Sequence, residues 1–160
     1  MVERYKTGRG GIEVYMWKYV QSTGQLYNPQ GTKQETGYSG RGDAKNDPSK
    51  QCVKDTGPIP RGYYDIGEAQ THPKLGPVAI PLQPDPGNDM CGRDDFWFHG
   101  DSVADPGSAS RGCIIMTRKT REKVDENDDK RLRVVSTSKL TKRRPKAKRN
   151  RKSIVIKKKR

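Results

Sequence analysis

The chain has 160 residues, 29% of them hydrophobic and 7% aromatic, with 17 Gly and 11 Pro; this suits one turn-rich domain and argues against a helical bundle. No run approaches the roughly 18–20 apolar residues of a membrane span, and residues 1–11 lack the apolar core of a secretory signal, so synthesis in the cytoplasm is expected. The net charge of +14 sits at one end: residues 139–160 hold 13 Lys/Arg and no Asp/Glu, leaving 20 basic against 19 acidic residues elsewhere, and a neutral body argues against a nucleic-acid-binding domain.

In chain order, residues 12–19 alternate with period two and are rich in aromatic and β-branched side chains, which predicts a strand. Ser22-Thr23-Gly24 is a turn signal, and residues 25–27 return as the second arm of a hairpin. Residues 37–53 are polar and Gly-rich and read as a surface loop bordering a site. Further strands are predicted at 62–66, 78–82, 96–98, 113–116 and 132–135, separated by Pro/Gly clusters. One helix is predicted over 118–127, capped by Thr117, with Met116, Thr120 and Val124 four apart on one side. The expected architecture is mainly β, a sandwich or curled sheet with one short helix, over residues 1–137. Residues 138–160 form a basic tail too poor in apolar groups to order by itself, although 153–156 has the composition of an added strand edge.

Cys113 stands out because Ser110-Arg111-Gly112 precedes it. Small residues there let the backbone bend sharply, so that the amides of Gly112 and Cys113 can meet an oxygen acquiring negative charge. A thiol nucleophile needs a base, and the two histidines are His72 and His99. His99 ends one predicted strand and Cys113 begins another, and the Gly100 carbonyl is a candidate acceptor for the imidazole's second N–H. Other readings stand beside this one: a Cys is commonly a small buried hydrophobe, a His beside Trp97 and Phe98 commonly a packed one. Zinc could draw on Cys52, Cys91, His99 and Cys113, but no close Cys pair supports it.

The run from Phe98-His99-Gly100 to Ser110-Arg111-Gly112-Cys113-Ile114 resembles the His-Gly … Ser-x-Gly-Cys-[Ile/Val] signature of L,D-transpeptidase (YkuD-like) catalytic domains. Thr36-Gly37-Tyr38-Ser39-Gly40, Gly57-Pro58-Ile59-Pro60-Arg61-Gly62, Lys74-Leu75-Gly76-Pro77 and His99-Gly100-Asp101-Ser102 resemble a narrower branch, the small L,D-transpeptidase-related effectors of type VI secretion. The likeness spans roughly residues 12–135. It implies an L,D-transpeptidase-like β fold, peptidoglycan stem tetrapeptides as substrate and an acyl-enzyme on Cys113. It also implies His99 as base, Ser110 and Gly112 as the signature pair, and the Gly100 carbonyl as the group orienting the imidazole. Ile115 stands where many cell-wall-crosslinking members carry Arg. Release of terminal D-Ala (L,D-carboxypeptidase) or D-amino-acid exchange is therefore expected ahead of crosslinking.

On this reading the protein is an antibacterial effector needing no cofactor and no metal, secreted to act in the periplasm of the target cell. Its partners are a cognate immunity protein and the secretion apparatus. Arg111 is a candidate contact for a stem-peptide carboxylate and His72 a candidate substrate contact, each with a solvated loop residue as the alternative. Cys52 and Cys91 either pair in an oxidising compartment or remain thiols. The tail suits anionic envelope polymers, phospholipid or nucleic acid. The rival functions are a non-catalytic wall-binding module and a nucleic-acid-binding protein. Reaction of Cys113 with a thiol probe at mildly acidic pH would favour the enzyme over a binding module, which has no need of a lowered thiol pKa.

Overall fold

Met16 and Trp17 are consecutive and both buried, which a strand with a single buried face cannot achieve because neighbouring side chains point to opposite sides. The chain resolves this by breaking the strand. In the computed structural model, which describes residues 4–7 and 12–138, the one strand expected over 12–19 is two. Strand β2 (Ile12–Tyr15) pairs antiparallel with β1 (Arg4–Thr7) in a small sheet of its own. After Met16, β3 (Trp17–Val20) joins the main sheet. The basic tail from residue 139, including the strand-like patch at 153–156, lies outside the described residues.

The main sheet contains β4 (Gln25–Tyr27), β5 (Lys33–Thr36), β6 (Tyr38–Ser39), β7 (Gly62–Ile66), β8 (Gln70–His72), β9 (Gly76–Pro84), β10 (Phe96–His99), β11 (Ile114–Ile115) and β12 (Arg131–Val135). The strand order is β5-β4-β3-β12-β7-β9-β10-β11-β6, with β8 added on β9. The mainly β expectation holds, and the form it takes is a single sheet curled almost into a barrel. Its two edges, β5 and β6, are consecutive in sequence and separated only by Gly37. The Gly37 amide donates to the Gly24 carbonyl at 2.8 Å. A Cβ on Gly37 would lie 1.9 Å from the Ile115 carbonyl oxygen, and one on Gly24 would lie 2.0 Å from that of Gly37. Only glycines let the backbones approach this closely.

Inside the curl, Trp17, Tyr19, Leu26, Tyr64, Phe98 and Leu132 are buried in one continuous core. Helix α1 (Arg118–Glu126) packs against β9 and β10, and the expected face is the buried one: Met116, Thr120 and Val124 are 1%, 5% and 0% exposed. Thr117 occupies the N-cap position without capping through its own side chain. Its backbone amide and hydroxyl donate instead to the Glu35 carboxylate, at 3.1 and 2.8 Å, which also sets a negative charge at the positive end of the helix.

The stretch 37–53 is not a free surface loop. It contains β6 and two short 3₁₀ turns, Gly42–Ala44 and Pro48–Lys50, and Ser39, Gly40 and Ala44 are buried. Burial is possible because hydroxyls satisfy its backbone: Ser39 Oγ accepts from the Ile59 amide and donates to the Gly112 carbonyl, both at 2.8 Å. Cys52 and Cys91 form a disulfide with a Cα–Cα distance of 5.2 Å across 39 residues of sequence.

Two stability predictions follow from these ties. Replacing both Cys52 and Cys91 by Ser should lower unfolding free energy by roughly 2–4 kcal/mol, because the crosslink restricts the unfolded chain; urea denaturation with and without reductant measures it. Glu35→Ala should cost about 1 kcal/mol through the helix terminus, read as a lower thermal midpoint with unchanged sheet signal in circular dichroism.

Candidate active site

On β10, Phe96 and Phe98 point into the core while Trp97 and His99 alternate to the other side. Strand β11 runs parallel beside it, pairing Phe98 with Ile114 and His99 with Ile115. This register sets Cys113, one residue before β11, opposite Trp97 and two positions from His99. His99, Trp97 and Cys113 line one cleft of about 530 Å³, shared with His72, Lys74, Asp95 and Arg111. The sheet thus gathers the two candidates that sequence reasoning placed on adjacent strands, with Arg111 and His72 on the same walls.

His99 is buried, and its Nδ1 lies 2.8 Å from the Gly100 carbonyl oxygen. A carbonyl only accepts, so Nδ1 carries the proton and Nε2 keeps the lone pair. Burial holds His99 below the ordinary histidine pKa; the Gly100 hydrogen bond opposes this, and the Arg121 charge and His72 add to it. Neutral imidazole is therefore the resting form near pH 7. Gly100 has a second constraint, since a Cβ there would sit 2.9 Å from Arg121 Nη2. Arg121 is itself held by the carbonyls of Met116, Pro77 and Val78.

Cys113 is a free, half-buried thiol whose Sγ donates to the Asp95 carbonyl at 3.8 Å. Burial pushes the thiol up to about 12; the Trp97 amide and the Arg93 charge pull it back, while Asp95 pushes it further up. Desolvation outweighs the favourable neighbours of the sulfur. Cys113 and His99 rest as a neutral pair.

The turn ahead of the sulfur is built on Ser110, which is fully buried. Its Oγ donates to the Cys113 carbonyl at 2.6 Å and accepts from the amides of Gly40 at 2.8 Å and Gly112 at 3.0 Å. The Gly112 amide, expected at the oxyanion, is engaged inside the turn. What Gly112 contributes is conformation: its φ is +135°, and a Cβ would lie 2.5 Å from Arg93 Nη2 and 2.7 Å from Phe96 Cε1. The loop between His99 and Cys113 is pinned by Asp101, which accepts from the Tyr38 hydroxyl at 2.6 Å and from the amides of Ser102 and Gly107. Tyr38 Oη in turn accepts from the Ala109 amide.

His72 Nδ1 accepts the amides of Lys74 and Leu75 at 3.0 and 3.1 Å, and its ring meets Trp97 edge-on at 5.0 Å between centroids. It shapes the cleft wall. Cys52 and Cys91 are joined to each other, which withdraws them from the zinc set considered above. Sequence reasoning missed Arg93, which is buried against the turn and belongs to none of the recognised blocks. Tyr38 and Asp101 lay within those blocks, but their pairing across 63 residues had no local signal.

The structure of Bdellovibrio bacteriovorus Bd1075 is similar to this one, with a TM-score of 0.47 and 18% sequence identity over 87% of this chain and 56% of that one. The chain therefore spans a little over half the length of that protein. No curated protein matches the sequence. Residues 33–140 match the model of the Tlde1 domain, and this protein therefore belongs to that family of type VI secretion effectors.

Proposed function

We propose that the protein is a cysteine L,D-carboxypeptidase, or D-amino-acid exchange enzyme, acting on peptidoglycan stem tetrapeptides as an antibacterial effector. One observation carries the reading: His99 on β10 and Cys113, one residue ahead of the parallel strand β11, face one cleft, with His99 Nδ1 committed to the Gly100 carbonyl. A shared cleft and an oriented imidazole with Nε2 free support the reading of a thiol nucleophile and its base.

In the first step Nε2 of His99 takes the Cys113 proton as the sulfur attacks the carbonyl of the L,D bond. The tetrahedral oxyanion is held by the Cys113 amide. Collapse breaks the C–N bond, and the imidazolium returns the proton to the departing amine of D-Ala. In the second step water gives a proton to His99 and attacks the thioester, regenerating the thiol and leaving a tripeptide stem. A D-amino acid taking the place of water gives exchange. Starting from neutral groups costs nothing in charge burial until the substrate is bound, which matches a half-buried thiol beside a buried imidazole.

The cleft suits a zwitterionic peptide. Lys74 and Arg111 offer cations for the terminal carboxylate, and Asp55, Asp94 and Asp95 offer anions for the ammonium group of a diaminopimelate side chain. In this role the protein meets its immunity partner and the secretion apparatus in the producing cell and works in the periplasm of the target, where the Cys52–Cys91 disulfide is stable.

Cys113→Ala should reduce D-Ala release from tetrapeptide muropeptides by at least about 10³-fold, and His99→Ala by roughly 10²–10⁴-fold; mass analysis of the products is the measurement, and full release by the Cys113 variant sinks the assignment. Because burial lowers the His99 pKa, protonation should silence the base only at pH values below the ordinary 6.5. The acid limb of kcat/KM is therefore expected below pH 6.5. A limb above that value contradicts a neutral, desolvated base.

A further inference from the structure

Arg93 carries a charge that the reaction as described does not use. It is 8% exposed, and its guanidinium donates to four neutral carbonyls: Nη1 to Gln51 at 2.6 Å and Pro58 at 2.9 Å, Nη2 to Gly57 at 3.0 Å and Arg111 at 2.9 Å. The Phe96 ring lies beneath it at 5.2 Å. This fork clamps the 51–58 segment, beside the disulfide, to the residue two before the sulfur. It also packs against the Cα of Gly112, where no side chain fits. A buried cation is costly unless something negative compensates it; every acceptor in the clamp is neutral, and the Asp55 carboxylate is the standing anion whose charge favours the guanidinium. A group that becomes negative during the reaction, the sulfur of Cys113, lies one residue beyond Gly112, against which the guanidinium packs.

We propose that Arg93 is a positioning residue for Cys113: its planar fork sets the turn that presents the sulfur, and its charge, held behind that turn, stabilises the thiolate as it forms. No shorter or single-point donor replaces a two-pronged fork that reaches four carbonyls, so Lys preserves the charge without the geometry. The direction agrees with the mutual influence of the two groups: the Arg93 charge favours the thiolate, and an ionised Cys113 favours charged Arg93. The other charged or titratable groups around the sulfur are Asp55, Asp94 and Asp95 on the neighbouring loops, His72, Lys74, His99 and Arg111 on the cleft walls, and Tyr64 on β7 beneath Arg93.

With Cys52 and Cys91 bonded to each other, iodoacetamide reports on Cys113 alone, and the pH profile of its alkylation is the readout. Arg93→Met should move the profile about one pH unit upward, slowing alkylation about tenfold at a fixed pH on the rising limb. Arg93→Lys should lower the thermal midpoint yet leave the profile within about 0.3 unit of the parent. A Met profile overlaying the parent, or a Lys profile shifted as far as the Met one, overturns the electrostatic role. Should the Met variant not fold, the parent decides: the Arg93 Cζ resonance should titrate with Cys113 and stay flat in Cys113→Ser, and a flat parent response overturns the proposal. The proposal deepens the reading of Cys113 as nucleophile. Neither experiment needs peptidoglycan, so a parent protein that releases no D-Ala would fail that reading and leave this one standing.

Discussion

The parallel pairing of β10 with β11 is the constraint on which the site depends. Chain order leaves His99 and Cys113 separated by a loop, and nothing local dictates how that loop returns. Pairing Phe98 with Ile114 and His99 with Ile115 converts the separation into a two-residue offset on neighbouring strands. Both Phe98 and Ile114 are fully buried, so a slip in register would turn core side chains into the cleft and the sulfur away from it. The energy that holds the geometry of this candidate site is therefore that of core burial.

Around this pair the backbone is immobilised by side chains that answer its polar groups. Ser110 satisfies three backbone partners of the turn, Ser39 two more, and Asp101 with Tyr38 pins the intervening loop. Arg93 adds four carbonyls from two segments. Hydroxyls and a guanidinium replace ladder hydrogen bonds where the chain must leave regular structure to present a sulfur. Desolvation is the largest influence on both the thiol and the imidazole, and it favours the neutral form of each.

Much of the scaffold was legible from pattern. The segments between Pro/Gly clusters at 62–66, 78–82 and 96–98 located β7, β9 and β10, and the 116/120/124 spacing identified the buried face of α1. What escaped has physical reasons. Strand β5 reads Lys-Gln-Glu-Thr and β8 reads Gln-Thr-His; these exposed strands carry no apolar period because their pairing comes from neighbours rather than from burial. The break at Met16 was invisible because alternation cannot show that two successive residues both find a core. Cys113 and His99 were prominent through the small residues before the sulfur and the strand end beside Gly100, while Arg93 has no motif.

By itself the sequence determined a neutral, turn-rich β domain with a cationic end, one amphipathic helix and a short list of reactive side chains, since periodicity and composition are local properties. The folded structure alone decided which cysteines pair, that the sheet curls nearly shut around Gly24 and Gly37, and that the thiol and imidazole are desolvated. Each of these depends on groups far apart in the chain. A residue's charge state, like its hydrogen-bond partners, follows from what surrounds it in space, and the chain's own order does not record that.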